Sequence, residues 1–185
     1  MTAPTRLAGW GRGADGTVVT WTVAEGRKGR RWREVVARGT DVVHSLLLET
    51  DPTGRFSHLE LARVDGLWTF HPEGDGTLHG NHVSPDGGVR HIAGLAFAGD
   101  DVLLVHGSAV SRAAIAWRHA RAEPRLLPVA GVVIHPDGTL EERPDIRVES
   151  LTEWRWQVGD EGPVEIDAAG VPVLDVGQIW PLELD

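Results

Sequence analysis

The chain has 185 residues, 41% of them hydrophobic and 24% charged, with 18 basic against 27 acidic side chains and a net charge of -9. That size suits one domain with its own core, spanning residues 1–185, and the acidic balance argues against nucleic acid, whose sequence-independent binding needs a broad basic face. Without cysteine, disulfides, thiolate metal sites and cysteine nucleophiles are excluded. No apolar run approaches the roughly 20 residues of a transmembrane segment, and Met1–Trp10 lacks the apolar core of a signal peptide, so a soluble, cytoplasmic protein is expected.

Short apolar stretches punctuated by turn residues run the length of the chain, the pattern of an all-β domain. Thr17–Ala24 alternates, with Val19, Trp21 and Val23 on one face and Thr20 and Thr22 on the other. Gly26 and Gly29 then interrupt a basic run, Arg27-Lys28-Gly29-Arg30-Arg31-Trp32-Arg33, which places Arg27 and Lys28 in a turn and starts a strand at about Arg30. Val42–Glu49 reads as a buried strand, followed by the turn Asp51-Pro52-Thr53-Gly54, where proline presets φ and glycine permits positive φ. Phe56–Val64 returns, and Asp65-Gly66 is a hairpin signal into Leu67–Phe70. Further strands are expected at 89–97, 102–106, 129–135, 146–151, 154–158, 164–167, 171–175 and 179–184, between glycine-bearing turns.

One segment departs from this pattern. Ser108–Ala122 is alanine-rich, with Val110, Ala113, Ala114 and Trp117 at helical spacing, Ser108 placed to cap and Pro124 to stop the helix. There is also an internal echo. Leu46–Gly54, an extended stretch to Trp68 and Glu73–Gly76 are answered by Gly131–Gly138, an extended stretch to Trp154 and Trp156, and Gly159–Gly162. A duplication of about 17–100 and 101–185 would explain it. The expected architecture is therefore all-β and mainly antiparallel: a strongly curved sheet, β-roll or open barrel with pseudo-twofold repetition and one short helix near 108–122. Rolling or closure removes the open edges that a flat array of many strands would leave.

The basic run stands out because the rest of the chain is so acidic. Strand alternation puts Arg31 and Arg33 on one face and Trp32 on the other, and two guanidinium groups ~7 Å apart make a clamp for phosphate, sulfate or carboxylate. The competing reading is a solvated edge strand whose charges discourage edge-to-edge pairing and are satisfied by Glu25 and Glu34. Nine histidines include His71, His79, His82 and His91, close to Glu73 and Asp75. A metal centre would need about three such groups to converge. In an extended strand His79 and His82, three apart, face opposite ways, so packed or hydrogen-bonded histidines are the simpler expectation. Gly107-Ser108-Ala109-Val110-Ser111 is not a nucleophile elbow, and no catalytic residue is assigned. Eight tryptophans and no tyrosine point to indole-rich packing. Trp154 and Trp156, on one strand face with Arg155 opposite, could alternatively line a cavity for an acyl chain or sugar ring.

The closing pattern Val164–Asp175 through Ile179-Trp180-Pro181-Leu182, a strand, a D-x-x-G-like turn, a strand and a terminal aromatic, resembles that of a family of bacterial proteins named for glycolipid binding. The resemblance extends to the order of elements over nearly the whole chain. The family's threonine-, asparagine- and proline-rich central stretch, which ends in two arginines, has its nearest counterpart in Asn81–Ile92, where Arg90-His91 stands in place of the pair. The resemblance implies a spiral β-roll with pseudo-twofold repetition, distantly like periplasmic lipoprotein carriers, and a function that the family itself owes to an inference from shape. The leading expectation is a non-catalytic binder of an amphiphile with an anionic or sugar head, such as a glycolipid or lipid phosphate. Arg31, Arg33 and Arg27 would hold the head, Trp32, Trp154 and Trp156 would line the apolar part, and no cofactor is required. The alternatives are a metal-dependent enzyme using His71, His79, His82 and His91, and an interaction scaffold.

Overall fold

The computed structural model describes residues 5–13, 15–120, 126–174 and 179–181. Among the described residues, fifteen strands form two sheets and there is one helix. Strands β1 (Thr5–Arg12), β2 (Thr17–Gly26), β3 (Gly29–Arg38), β4 (Asp41–Thr50), β5 (Phe56–Arg63), β6 (Gly66–Pro72), β7 (Thr77–Val83) and β8 (Val89–Ala96) form an antiparallel meander in chain order. Then come β9 (Val102–Val105), α1 (Ala109–His119), β10 (Leu126–Ile134), β11 (Leu140–Ser150), β12 (Arg155–Val158), β13 (Val164–Ile166), β14 (Pro172–Leu174) and β15 (Ile179–Pro181). Strands β9–β14 build the second sheet, and β15 returns to the first, antiparallel to β1. The chain is all-β and mainly antiparallel with one short helix, as the sequence pattern predicts. The exception is the β9–β10 pair, which is parallel and joined through α1.

The internal echo corresponds to two antiparallel meanders of four strands, β4–β7 in the first sheet and β10–β13 in the second. What precedes them differs. An antiparallel hairpin joins β3 to β4, whereas β9 reaches β10 by the helical crossover.

One hairpin turn recurs. In the turns 51–55 and 135–139 the first residue's N–H bonds to the carbonyl four residues on, and a glycine, Gly54 or Gly138 at φ +85°, donates back to the first residue's carbonyl. This is a hairpin turn closed by a left-handed residue, a conformation that favours glycine. The turns at 73–77, 84–88 and 167–171 repeat it. Where the sequence reads Asp-Gly-Thr, the aspartate accepts the threonine N–H: Asp15 from Thr17, Asp75 from Thr77 and Asp137 from Thr139, at 3.0, 3.1 and 2.9 Å.

Helix α1 is buried on every side from Ala109 to Trp117, which explains its small residues: alanine lets both sheets approach. It packs against β3 of the first sheet and against β9 and β11–β14 of the second. A single hydrophobic core runs through both sheets and the helix, with Trp21, Trp32, Leu59, Trp68 and Phe70 from the first and Val132, Ile134, Val148 and Trp156 from the second. The Ser108 side chain caps the helix by accepting Ser111 N–H at 3.0 Å. No acid occupies the first turn; the carboxylate comes instead from Glu34 on β3, whose Oε2 accepts Val110 N–H at 3.1 Å.

Candidate functional site

Alternation on β3 divides the basic run between core and solvent. Arg30, Trp32, Glu34 and Val36 point inward and are buried, while Arg31, Arg33 and Val35 point outward. Arg30 is part of the framework. It bonds Glu25 through Nε and Nη2 at 3.1 and 2.8 Å and the Ala169 carbonyl through Nη1 at 2.5 Å, and its guanidinium stands 3.8 Å from the Trp117 ring centre. Arg63 makes the matching contact one hairpin away, donating to the His135 carbonyl at 2.9 Å. Two arginines of the first sheet thus hold two turns of the second. Glu34, fully enclosed, also accepts His44 Nε2–H at 3.0 Å.

The outward arginines differ from each other. Arg31 is paired with Glu49 of β4 at 2.5 Å, and Arg27 is exposed in the β2–β3 turn. Arg33 is exposed, and no ion pair engages it among the described residues. It lies at the edge of a trough of about 250 Å³ on the outer face of the first sheet, walled by Val35, Leu47, Ala62 and Leu67, with Glu60 on the side away from Arg33. The register explains the grouping. Arg33, Leu47 and Glu60 are cross-strand neighbours on β3, β4 and β5, and the adjacent row is Val35, Ser45, Ala62 and Leu67 on β3–β6. Val35 and Leu67 remain 37% and 38% exposed.

The predicted aromatic lining is not assembled at this trough. Trp32 is in the core, its ring edge-on to Trp117 at 6.2 Å. Trp156 is buried on β12, whereas Trp154 lies before that strand and is exposed. The histidines divide as the strand argument expects. His71, His79 and His91 share the outer face, with ring centres 6.4 and 5.6 Å apart in succession, whereas His82 faces inward, stacked on Trp68 at 4.1 Å with Nε2–H donated to the Asp65 carbonyl. Among the described residues no group of three or more histidines and carboxylates converges to hold a metal ion.

A second concavity has no signature in the sequence pattern: a cleft of about 200 Å³ beyond the carboxyl ends of β9 and β10. His106 and His135 face each other across it with ring centres 6.1 Å apart, over a floor of Leu104, Val133 and Ile146. Its charges are already answered. Glu161 takes Gly107 N–H at 2.9 and 3.0 Å, Glu141 takes His135 Nε2–H at 2.8 Å, and Arg143 is shared by Glu141, Asp145 and Asp160 at 3.8, 3.4 and 3.3 Å. The cleft closes on itself, whereas the trough presents the Arg33 guanidinium beside apolar surface.

The carboxyls clearly lowered in pKa among the described residues lie in neither place. The Thr17 hydroxyl and N–H hold Asp15 down to about 2, and the same contacts from Thr77 and Thr139 lower Asp75 and Asp137. These groups form the hairpin turns.

Comparison with known proteins adds the fold alone. The crystal structure of a DUF1089 family protein from Pseudomonas aeruginosa matches with a TM-score of 0.51 at 13% sequence identity, covering 98% of this chain and 94% of that one. No protein-family model matches the sequence, and no curated protein does. No helix among the described residues is long and apolar enough to cross a membrane.

Proposed function

We propose that this protein is a non-catalytic binder of a small amphiphile with an anionic head, such as a lipid phosphate or an acidic glycolipid, and that the outer trough is its site. The observation that carries this reading is Arg33, an exposed guanidinium without an ion-pair partner among the described residues, set beside the apolar wall of Val35, Leu47, Ala62 and Leu67. The guanidinium fork takes two oxygens of a carboxylate or phosphate, and the wall shields an alkyl chain from water. The trough is smaller than the roughly 300–1,000 Å³ of sites that enclose a drug-sized molecule, so the head and the first carbons are held while the rest of the chain lies along the sheet face. In this reading the protein meets its ligand in the cytoplasm.

Titration with laurate and lauryl phosphate, followed by calorimetry and native mass spectrometry, tests the proposal. Arg33→Glu should lower affinity more than about tenfold by turning attraction into repulsion, and Leu67→Asp should do so by placing a charge in the apolar wall. Both side chains lie outside the core, so both variants should fold. Wild-type affinity in the two variants, or no binding by the parent protein, overturns the reading; capture of a partner protein by this face alone would favour an interaction scaffold.

A further inference from the structure

The trough contains a negative charge as well as a positive one, and a histidine is attached to it. Glu60 lines the trough two strands from Arg33, on the same cross-strand row, or roughly 10 Å at the usual strand spacing. An anionic head seated on Arg33 therefore meets in Glu60 a carboxylate that lines the same trough. The Glu60 carboxylate accepts His58 Nε2–H at 3.1 Å, from two residues earlier on the same strand and the same face.

The other charges around His58 are already committed. Across β4 its cross-strand neighbour is Glu49, which is held by Arg31. On the β6 side, one position beyond the Leu59–Phe70 pair, lies His71, held by Glu73 at 3.0 Å. On its own strand the partner is Glu60. Of these acids only Glu60 faces the trough.

From this arrangement we infer that His58 and Glu60 make anion binding pH-dependent: protonation of His58 neutralises Glu60 and tightens the hold of Arg33 on the head group. The inference rests on the amphiphile reading and adds its regulation. Neutral His58 leaves the trough with one cation opposed by one anion. Protonated His58 forms an ion pair with Glu60, and Arg33 then acts on the ligand unopposed. Near the protein surface a unit charge at this separation is worth a several-fold change in affinity, reduced by salt.

The experiment is a fluorescence titration with 8-anilinonaphthalene-1-sulfonate, whose sulfonate remains anionic throughout, at about pH 8 and about pH 5.5, the interval over which histidine takes its proton. Near-ultraviolet circular dichroism at each pH checks that the core is intact. The parent protein should bind about three- to tenfold more tightly at the lower pH. Glu60→Gln should bind tightly at both, and His58→Gln should stay at the weaker level at both. Equal pH slopes in the parent and His58→Gln, or no tightening in Glu60→Gln, overturn the inference and leave the binding site standing. Full binding by Arg33→Glu instead removes the site itself, so the two failures are distinguishable.

Discussion

The two faces of β3 carry almost the same chemistry and do opposite things with it. Inward, Arg30 spans Glu25, the Ala169 carbonyl and the Trp117 ring, and Glu34 joins His44 to the first turn of α1. Outward, Arg31 rests on Glu49 in water and Arg33 has no ion-pair partner among the described residues. The same residue type is framework on one side and open surface on the other. What decides is the number of partners brought by elements distant in sequence, because a charge removed from water is tolerated only when those partners replace it.

The largest test of the contrast is Glu34→Leu. It leaves His44 Nε2–H and Val110 N–H without their acceptor in a dry interior, and a loss of about 3–5 kcal/mol in urea unfolding is expected. Gly170→Ala should follow at about 2–4 kcal/mol. The residue sits at φ +77°, where a Cβ would come within 1.9 Å of Trp117 Cδ1, so the turn that Arg30 grips could not stay against the helix.

Acid should act on the turns. The folded pKa values of Asp15, Asp75 and Asp137 lie below the ordinary value of 3.8, so these carboxylates stabilise the fold above that value. Their contribution fades as pH falls from about 4 toward about 2. A pH series of melting curves should show this decline, and it should be shallower in Asp15→Asn. The smallest stability effect belongs to the outer face. Arg31→Glu with Arg33→Glu should move stability by only about 0–1 kcal/mol, while anion binding is lost. A collapse of the fold in that double variant would erase the distinction between the two faces.

Much of the fold is legible in the order of residues alone. Alternation separates Trp32 from Arg31 and Arg33, Asp-Gly signals mark the hairpins, and alanine spacing with Ser108 marks the helix, which ends at His119, short of the expected 122. What stays hidden depends on register. The trough needs β3, β4, β5 and β6 aligned so that Val35, Leu47, Ala62 and Leu67 meet, and a single-residue slip would turn each of them to the other face. Glu34 looks like a surface partner for the basic run because its true partner is a backbone amide 76 residues away. The parallel β9–β10 pair is equally invisible, since its two short apolar segments would suit either direction. Trp154 and Trp156 read as one strand face, but β12 begins between them, at Arg155.

The pairing of β15 with β1, Gly9 against Pro181 and Trp10 against Trp180, has a consequence for synthesis. A ribosome delivers β1 long before β15. The outer backbone edge of β1 is therefore without this partner until Ile179–Pro181 have been made. An open strand edge is a template for intermolecular pairing, and contacts this distant in sequence form slowly. Chains halted before Ile179 would carry that edge permanently, so β15 acts as a seal applied long after the edge it covers has been made.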